Sequence, residues 1–283
     1  MKILLAGAYG NLGGDILLEL SKTKNEIIAC DLKEREIQGL NKKNITFKSF
    51  DITNKESLKG ICDGVDIVIT TVGLTTKSAT LTNYDIDYQG NLNLLNEAVK
   101  SKVKNFTYIS VIKADQDKKA PMVHAKYLFE EELKKSGIKY IIHRPTGYMY
   151  DIVKVFKPMI QKGEVTLLGK KDHKCNVIDT KDFAKFIVLH MEDENKLYNV
   201  GGTETYNYKE IATMCFEAAC KPVVIKRAPI FLFSVLAALP KNKKNGVSAM
   251  LRFSKFTLTN DLEGDTLVSG TSFKEYVKES FKK

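Results

Sequence analysis

The sequence predicts an α/β fold: a doubly wound parallel sheet with helices on both faces and a small C-terminal lobe. Short apolar runs alternate with amphipathic segments as far as Pro145, which is typical of parallel strands buried between helices. A glycine-rich turn follows the first apolar run. The 283 residues, 43% of them hydrophobic, suffice for one large core and a smaller lobe.

Strands and helices are predicted to alternate through the first half of the chain. Continuous apolar character predicts the strands, and apolar residues spaced three and four apart predict the helices. The predicted strands are 2–6, 26–30, 45–48, 65–70, 106–109 and 140–143. The predicted helices are 11–23, 55–60, 84–101 and 121–136.

The pattern changes after Pro145. We expect a helix over 152–161, a short strand over 165–168 and a last helix over 208–219. The segment NVIDTKDFAKFIVLHM predicts a strand that leads into a helix capped by Thr180. The predicted core is 1–150, completed by about 173–200, and the predicted lobe is 151–172 with 201–283.

A glycine-rich turn joins the first predicted strand to the first predicted helix. Its pattern is G-x-x-G-x-x-G, starting at Gly7. The first glycine permits a tight turn, the second lets a pyrophosphate approach the backbone, and the third allows the helix to pack closely on the sheet. The free N–H groups at the helix start favour a phosphate, so the turn predicts a dinucleotide site on a Rossmann sheet. The cofactor-binding residues expected in this turn are Gly7, Tyr9, Gly10, Asn11, Leu12 and Gly13.

Asp31 ends the second predicted strand. A carboxylate there accepts hydrogen bonds from the adenosine ribose hydroxyls and repels a 2′-phosphate, so NAD is favoured over NADP as the cofactor. Lys33 and Arg35 lie nearby and keep NADP as the alternative. Further cofactor residues are expected along the same sheet edge. They are Leu32, Asp51, Ile52, Thr71, Val72 and Gly73.

Composition argues against several other classes of function. The net charge is +10, but only four of the 44 basic residues are arginines, the residue that sequence-reading proteins favour, so we expect no nucleic-acid partner. The five cysteines form no C-x-x-C pair, and we expect no metal site or disulfide framework. No apolar run approaches about 20 residues, and no leader pattern is recognised, so a cytoplasmic protein is expected.

Several motifs together resemble a known family. The segments GAYGNLGG, FDITNKESLKG, TTVG and DYQGNLNLLNEAVKS are similar to the atypical and extended branches of the short-chain dehydrogenase/reductase superfamily. The segment HAKYLFEEELKKSGIKYIIHRPTGYMYD resembles its NmrA-like NAD(P)-binding group. The resemblance covers about residues 2–220. It implies an NAD(P)-binding Rossmann sheet with a substrate cleft under the C-terminal lobe. It is compatible with hydride transfer and with a non-catalytic role as a redox sensor or assembly factor.

The resemblance also implies a catalytic set, made of a serine after the fifth strand and Y-x-x-x-K on the next helix. Lys126 matches the family's lysine, which binds the nicotinamide ribose. Met122 stands where the tyrosine is expected, and a thioether cannot donate a proton. Ser110 occupies the first serine position after the strand, whereas Ile112 stands where the catalytic serine usually lies. The sequence therefore lacks the usual acid–base pair.

Other residues are candidates to replace the tyrosine. Tyr148 is the first choice as a catalytic proton donor, because with His143 it lies where the family's chain turns into the substrate cleft. Its other interpretation is a pocket-lining residue. His124 is a weaker candidate, since it lies well round the helix from the face of Lys126. Asp87 stands where other branches have asparagine. It is expected to orient a water, to pair with Lys126, or to make only a local helix contact.

A basic and apolar stretch lies outside the resemblance. Residues 218–260 hold eight basic side chains and no acidic one. Within them, the apolar run Ile230–Leu239 precedes the segment PKNKKNG. Three interpretations are open: a buried helix of the lobe, a mouth for an anionic hydrophobic substrate, or a segment that rests on an acidic membrane surface.

The leading prediction is an NAD(P)-dependent oxidoreductase that transfers a hydride between nicotinamide and a small or medium hydrophobic acceptor. The competing prediction is a non-catalytic NAD(P)-binding regulator or assembly factor, because Met122 and Ile112 replace the usual acid–base pair. A small-molecule substrate is the expected partner, together with either a second copy of the chain or another protein.

Overall fold

The computed structural model describes residues 1–244 and 246–282. Within them the strands are β1 Lys2–Ala6, β2 Glu26–Asp31, β3 Ile45–Ser49, β4 Ile67–Thr70, β5 Asn105–Ile109, β6 Lys139–Pro145, β7 Val165–Leu168, β8 Lys174–Cys175, β9 Lys196–Gly202, β10 Tyr206–Asn207, β11 Ile225–Ala228 and β12 Thr266–Val268. The α-helices are α1 Asn11–Leu20, α2 Lys55–Leu58, α3 Asn91–Lys100, α4 Pro121–Lys135, α5 Met149–Gln161, α6 Thr180–Leu189, α7 Tyr208–Ala218, α8 Ile230–Ala238, α9 Pro240–Lys244, α10 Val247–Thr259 and α11 Phe273–Lys282.

The main sheet has eight strands in the order β12-β9-β6-β5-β4-β1-β2-β3, and its neighbouring strands all run parallel. The chain winds from β1 outward to β3 and then returns to β4 on the other side of β1. This reversal opens a crevice at the carboxyl ends of β1 and β4, where ligands bind in sheets of this kind. The predicted doubly wound parallel sheet is confirmed.

Helices cover both faces of the sheet. Along β1, Leu4 and Ala6 belong to a buried cluster that includes residues of α3 and α4. Their neighbours Ile3 and Leu5 belong to a second cluster with residues of α1 and α6. Successive side chains of a strand point to opposite faces. The strand is therefore apolar throughout, as a fully covered parallel strand must be.

The predicted helix over 84–101 is divided in two. Residues Tyr84–Gly90 form a π-helical segment, and α3 begins at Asn91. The side-chain amide of Asn91 donates to the carbonyl oxygens of Ile86 and Asp87, and so provides these carbonyl groups of the π-helical segment with a hydrogen-bond donor. Short π segments are frequent at functional sites, and this one carries Asp87 to the carboxyl edge of the sheet.

The predicted strand and cap before α6 were wrong in detail. Residues 176–178 form no strand, and Ile178 makes only an isolated bridge with Tyr148. Asp179 caps the helix, its carboxylate accepting the N–H of Lys181 at 3.0 Å, and Thr180 is the first helical residue. Asp and Thr are both good caps, so composition alone could not separate the two positions.

A third buried cluster lies outside the two sheet faces. It joins α5, α7, α10 and α11 through residues such as Phe156, Phe216, Phe256 and Val277. Two small sheets accompany it: parallel β7 with β11, and antiparallel β8 with β10. Strand β12 adds to the main sheet from within 201–283, the range that the sequence assigned to the lobe.

Helix α8 is exposed, so one of the three interpretations left open for this segment, a buried helix of the lobe, was wrong. Only Ala237 of this helix is buried, while Phe231 is 66% exposed and Val235 is 52% exposed. The apolar character of a segment cannot show whether another element of the chain will cover it. Within the described residues, no helix is both long and apolar enough to cross a bilayer.

Candidate functional site

The glycine turn between β1 and α1 accepts no side chain at two of its three glycines. Gly7 has a φ of 78°, and an added Cβ would lie 2.6 Å from the hydroxyl of Thr71. A Cβ on Gly13 would lie 1.9 Å from the carbonyl oxygen of Gly7. At Gly10 an added Cβ would meet only this carbonyl oxygen, at 3.4 Å. Packing therefore does not require glycine at position 10. In this motif the second glycine is expected because it lets a ligand approach the backbone closely.

The N-terminus of α1 is left open for an anion. Gly10 occupies the N-cap position, no side chain caps the helix, and the first turn contains no acidic residue. The first N–H groups of a helix have no partner within the helix, and the helix dipole adds a partial positive charge there. This cradle of backbone donors and glycines fits the pyrophosphate of a dinucleotide.

Asp31 is oriented by the turn itself. One carboxylate oxygen accepts the N–H of Tyr9 at 2.9 Å and the other accepts the N–H of Leu32 at 2.8 Å. Each oxygen keeps a further lone pair, so the carboxylate fits a ribose diol. The Tyr9 hydroxyl lies 3.4 Å from Glu34, and burial together with the Glu34 charge raises the pKa of Tyr9 to about 12. Glu34 therefore lies at the hydroxyl end of the Tyr9 side chain, where its carboxylate pairs with Lys42 at 2.6 Å.

Of the residues predicted after β3 and β4, Thr71 contacts the turn directly. The hydroxyl of Thr71 is within hydrogen-bond distance of the carbonyl oxygens of Ala6 and Gly7, at 3.2 and 3.1 Å, and this ties the end of β4 to the turn. Asp51 is exposed and accepts hydrogen bonds from Thr53. The remaining predicted residues there are buried Ile52 and the partly buried pair Val72 and Gly73.

Lys126 is held at the carboxyl ends of β4 and β5. It lies on α4, and its Nζ donates to the carbonyl oxygen of Ile109 at 3.0 Å. The same Nζ lies 3.2 Å from Oδ1 of Asp87, a fully buried carboxylate, and 5.2 Å from the ring centre of Tyr108. The pairing that the sequence left as one of several alternatives for Asp87 is therefore present.

The backbone of Gly73 runs directly over this ion pair. A Cβ at Gly73 would lie 2.7 Å from Oδ1 of Asp87 and 3.3 Å from Nζ of Lys126. Oδ2 of Asp87 accepts hydrogen bonds from the N–H of Leu74 and the amide of Asn83, at 3.2 and 2.9 Å. Oδ1 accepts no hydrogen bond within the described residues, and the ammonium of Lys126 lies 3.2 Å from it. Lys126 is thus oriented by Asp87 and by the carbonyl oxygen of Ile109. The ammonium has a further N–H group that could donate to a ribose hydroxyl at the sheet edge.

Ser110 is engaged in a buried network that sequence reasoning missed. Its hydroxyl donates to Glu130 at 2.5 Å, and the fully buried Glu130 also accepts two hydrogen bonds from Arg144. Arg144 donates in addition to Asp115 at 3.0 Å. The burial of Glu130 was signalled only weakly, by its position one turn after Lys126 and beside the apolar Phe129 on α4.

The positions that differ from the family pattern differ in their burial. Ile112 is buried in the third cluster, while Met122 is partly exposed near the start of α4. His124 lies 3.0 Å from the hydroxyl of Tyr84 through its Nδ1. The described contacts of His124 therefore place it with Tyr84 rather than with Lys126.

Tyr148 and His143 are both packed among aromatic rings. Tyr148 stacks on Tyr150, with ring centres 5.5 Å apart, and burial raises the pKa of Tyr148 well above its ordinary value of 10. His143 is fully buried, stacks on Tyr198 and meets the edge of Phe183. The expectation that His143 borders a cleft was wrong, because all of β6 from Ile141 to its end is buried between helices.

Comparisons with known proteins agree with this fold. The profile described as the NmrA-like family matches residues 1–277. Photosystem II assembly factor Ycf39 of Trieres chinensis is 23% identical over 244 residues, which are 84% of this chain and 76% of that protein. Divinyl chlorophyllide a 8-vinyl-reductase of Arabidopsis thaliana is 27% identical over 224 residues, 71% of this chain and 52% of that protein.

A solved structure extends the comparison to the whole chain. The NADPH-dependent quinone oxidoreductase of Escherichia coli, solved with NADPH, is 20% identical with a TM-score of 0.75, and the match covers 99% of each chain. An identity this low shows a shared fold. Since the family profile spans almost all of the sequence, the chain belongs to the NmrA-like family.

Proposed function

We propose that the chain is an NAD(P)-dependent oxidoreductase of the atypical short-chain dehydrogenase/reductase type. The observation that carries the proposal is the position of Lys126, held by Asp87 and Ile109 at the same sheet edge as the glycine turn. The turn would hold the pyrophosphate, Asp31 the adenosine ribose, and Lys126 the nicotinamide ribose. Because the carboxylate of Asp31 lies at the expected ribose position, NAD is the proposed cofactor and NADP the alternative.

The proposed acceptor is a small or medium hydrophobic molecule that requires little acid catalysis, such as a conjugated alkene or a quinone. A bound nicotinamide supplies hydride chemistry, which needs the donor and the acceptor close together and shielded from water. A general acid typically adds about 10²–10⁴-fold, and Met122 cannot provide it. Two of the similar proteins are a vinyl reductase and a quinone oxidoreductase, and their names support acceptors of this class. Residues 151–172 and 201–283, apart from β12 of the main sheet, are the proposed substrate-binding lobe.

The second candidate is a non-catalytic NAD(P)-binding regulator or assembly factor. The hydroxyl of Ser110 is engaged with Glu130, and burial raises the pKa of Tyr148, so both hydroxyls that the sequence predicts as catalytic are poor proton donors. The name of the photosystem II assembly factor also supports this candidate. In such a protein the dinucleotide would serve as a signal or a structural ligand, and the partner would be another protein.

Turnover assays separate the two candidates. We would follow NADH and NADPH oxidation with quinones, enones and aldehydes as acceptors, in the unchanged chain and in Met122→Tyr, with Met122→Phe as the control for size. The proposal expects oxidation with quinones or enones in the unchanged chain, and faster aldehyde reduction only in Met122→Tyr. If NADH binds but no acceptor oxidises it, and Met122→Tyr alone reduces aldehydes, the non-catalytic candidate is correct.

A further inference from the structure

Helix α8 presents an unusual surface. Large apolar side chains are exposed on one side of it, while Phe233 and Leu236 are partly buried and Ala237 is buried on the other. An exposed apolar patch on a folded protein marks a contact surface more often than chance. The exposed apolar residues of α8 and its C-cap are Ile230, Phe231, Leu232, Val235 and Leu239, and Met250 of α10 is exposed as well.

The helix is held in place although its outer side is uncovered. The side chain of Ile230 lies against Gly169, and a Cβ added to Gly169 would lie 3.0 Å from that side chain. The ammonium of Lys255 on α10 donates to the hydroxyl of Ser234 at 2.8 Å. Helix α10 in turn joins the third buried cluster through Phe256. The apolar side chains are therefore presented on a supported helix.

The charged residues of the segment that contains this helix are all basic. Residues 218–260 contain no acidic residue. Lys226 and Arg227 are neutralised by Glu164 and Asp172 from other elements. Among the described residues, no carboxylate pairs with Lys241, Arg252 or Lys255. The sequence adds Lys243 and Lys244, two and three positions after Lys241.

We propose that the α8 surface, meaning α8 with Leu239, Lys241, Met250 and Arg252, docks on an anionic lipid surface. An interfacial helix inserts apolar side chains at the boundary between headgroups and acyl chains, while nearby lysines and arginines attract anionic lipids. Both components are present on α8 and beside it. A helix of nine residues is far too short to span a bilayer, so the contact is peripheral. A protein partner or a second copy would have to offer an apolar face with acidic edges, and no such acidic complement exists within 218–260 itself.

Sedimentation with lipid vesicles tests the proposal. The intact chain is mixed with vesicles of phosphatidylcholine alone or with about one third phosphatidylglycerol, at low and at high salt. We expect binding to the anionic vesicles that weakens at high salt, and weak binding to the neutral ones. Equal binding to both vesicle types, or no binding to either, would overturn the proposal.

Two variants test which residues carry the contact. Phe231→Ser combined with Val235→Ser removes exposed apolar groups, and we expect at least about tenfold weaker vesicle binding. The matched control, Leu189→Ser, changes the 79% exposed leucine at the end of α6 and should leave binding unchanged. If the control weakens binding as much as the double variant, α8 is not the docking surface.

The charge variant is Lys241→Gln with Arg252→Gln, compared with Lys24→Gln and Lys43→Gln at exposed sites on another part of the chain. We expect about fivefold weaker binding per removed charge in the first pair only. Analytical ultracentrifugation of the same samples identifies the competing occupant. A dimer that Phe231→Ser with Val235→Ser dissociates, without any vesicle binding, would show that a second copy covers α8.

Discussion

The ammonium of Lys126 lies 3.2 Å from the carboxylate of Asp87, and the carboxylate is fully buried. The backbone of Gly73 passes so closely over the pair that a Cβ would lie 2.7 Å from the carboxylate. A buried ion pair whose partners are both fixed orients a charged group well, although it contributes little net stability. The structure therefore supports a role for Asp87 in positioning Lys126 at the edge of the sheet.

Replacement of Lys126 by methionine should weaken NADH binding. The proposed bond from the ammonium to a ribose hydroxyl is a charged hydrogen bond, worth about 1.5–3 kcal/mol, so we expect roughly tenfold or greater loss of affinity by calorimetry. Lys126→Met leaves the buried Asp87 carboxylate without its partner, which would lower the stability of the fold. The double variant Lys126→Met with Asp87→Asn removes that unpaired charge, so its affinity for NADH is measured as well. Lys134→Ala, on the exposed side of α4, is the control. Unchanged affinity in the folded double variant would remove Lys126 from the cofactor site.

Replacement of Asp31 by asparagine should shift the cofactor preference toward NADPH. The amide keeps an oxygen for one backbone N–H but loses the charge that repels a 2′-phosphate. We expect the ratio of NADPH to NADH affinities to rise about tenfold, measured by calorimetric titration. Glu36→Gln removes one nearby exposed charge and should change the ratio little. A ratio that does not respond to Asp31→Asn would mean that the carboxylate does not face the ribose.

Replacement of Ser110 by alanine should reduce stability more than activity. The hydroxyl donates to buried Glu130, so its loss leaves that carboxylate with one bond fewer, and we expect about 1–3 kcal/mol lower free energy of unfolding in urea. Ser101→Ala, which removes a similar bond to Asp63 at an exposed site, should cost less. A large loss of turnover in Ser110→Ala with unchanged stability would instead make Ser110 a catalytic residue.

Replacement of His143 by phenylalanine should flatten the pH dependence of stability. Burial lowers the pKa of His143 from 6.5 to about 3 in the folded chain. As the pH falls below about 6.5, the imidazole is protonated in the unfolded chain but stays neutral in the folded one. The contribution of His143 to the free energy of unfolding is therefore fully present above that pH and is lost progressively toward pH 3. We expect the melting temperature of His143→Phe to fall less steeply than that of the unchanged chain between about pH 6.5 and 4. His124→Phe, at a partly exposed site, is the control, and equal slopes in all three proteins would contradict the assignment.

The sequence was sufficient for the parts of the site that depend on local geometry. The glycine turn and Asp31 follow from a strand, a tight turn and a helix that are adjacent in the chain. The structure places Asp31 against the N–H of Tyr9, which makes the carboxylate part of the turn. The main sheet was predictable for the same reason, because continuous apolar strands alternate with amphipathic helices.

The parts that the sequence could not give depend on distant residues. Glu130 contacts Ser110 and Arg144, which are 20 and 14 positions away in the chain. Without knowledge of those contacts, a glutamate on this helix is expected to face solvent. The choice among the alternatives for Asp87 required the π-helical segment, which no spacing rule predicts. Helix α8 is exposed because no element among the described residues covers it. The composition of a segment does not show whether another element will cover it.

Calorimetric titration of the intact chain with NAD, NADH, NADP and NADPH tests the central claim most directly, because both proposed functions require a dinucleotide at the glycine turn. We predict saturable binding at a single site, with NADH bound more tightly than NADPH. Failure of all four dinucleotides to bind the folded chain would contradict the assignment of the turn, of Asp31 and of Lys126 together.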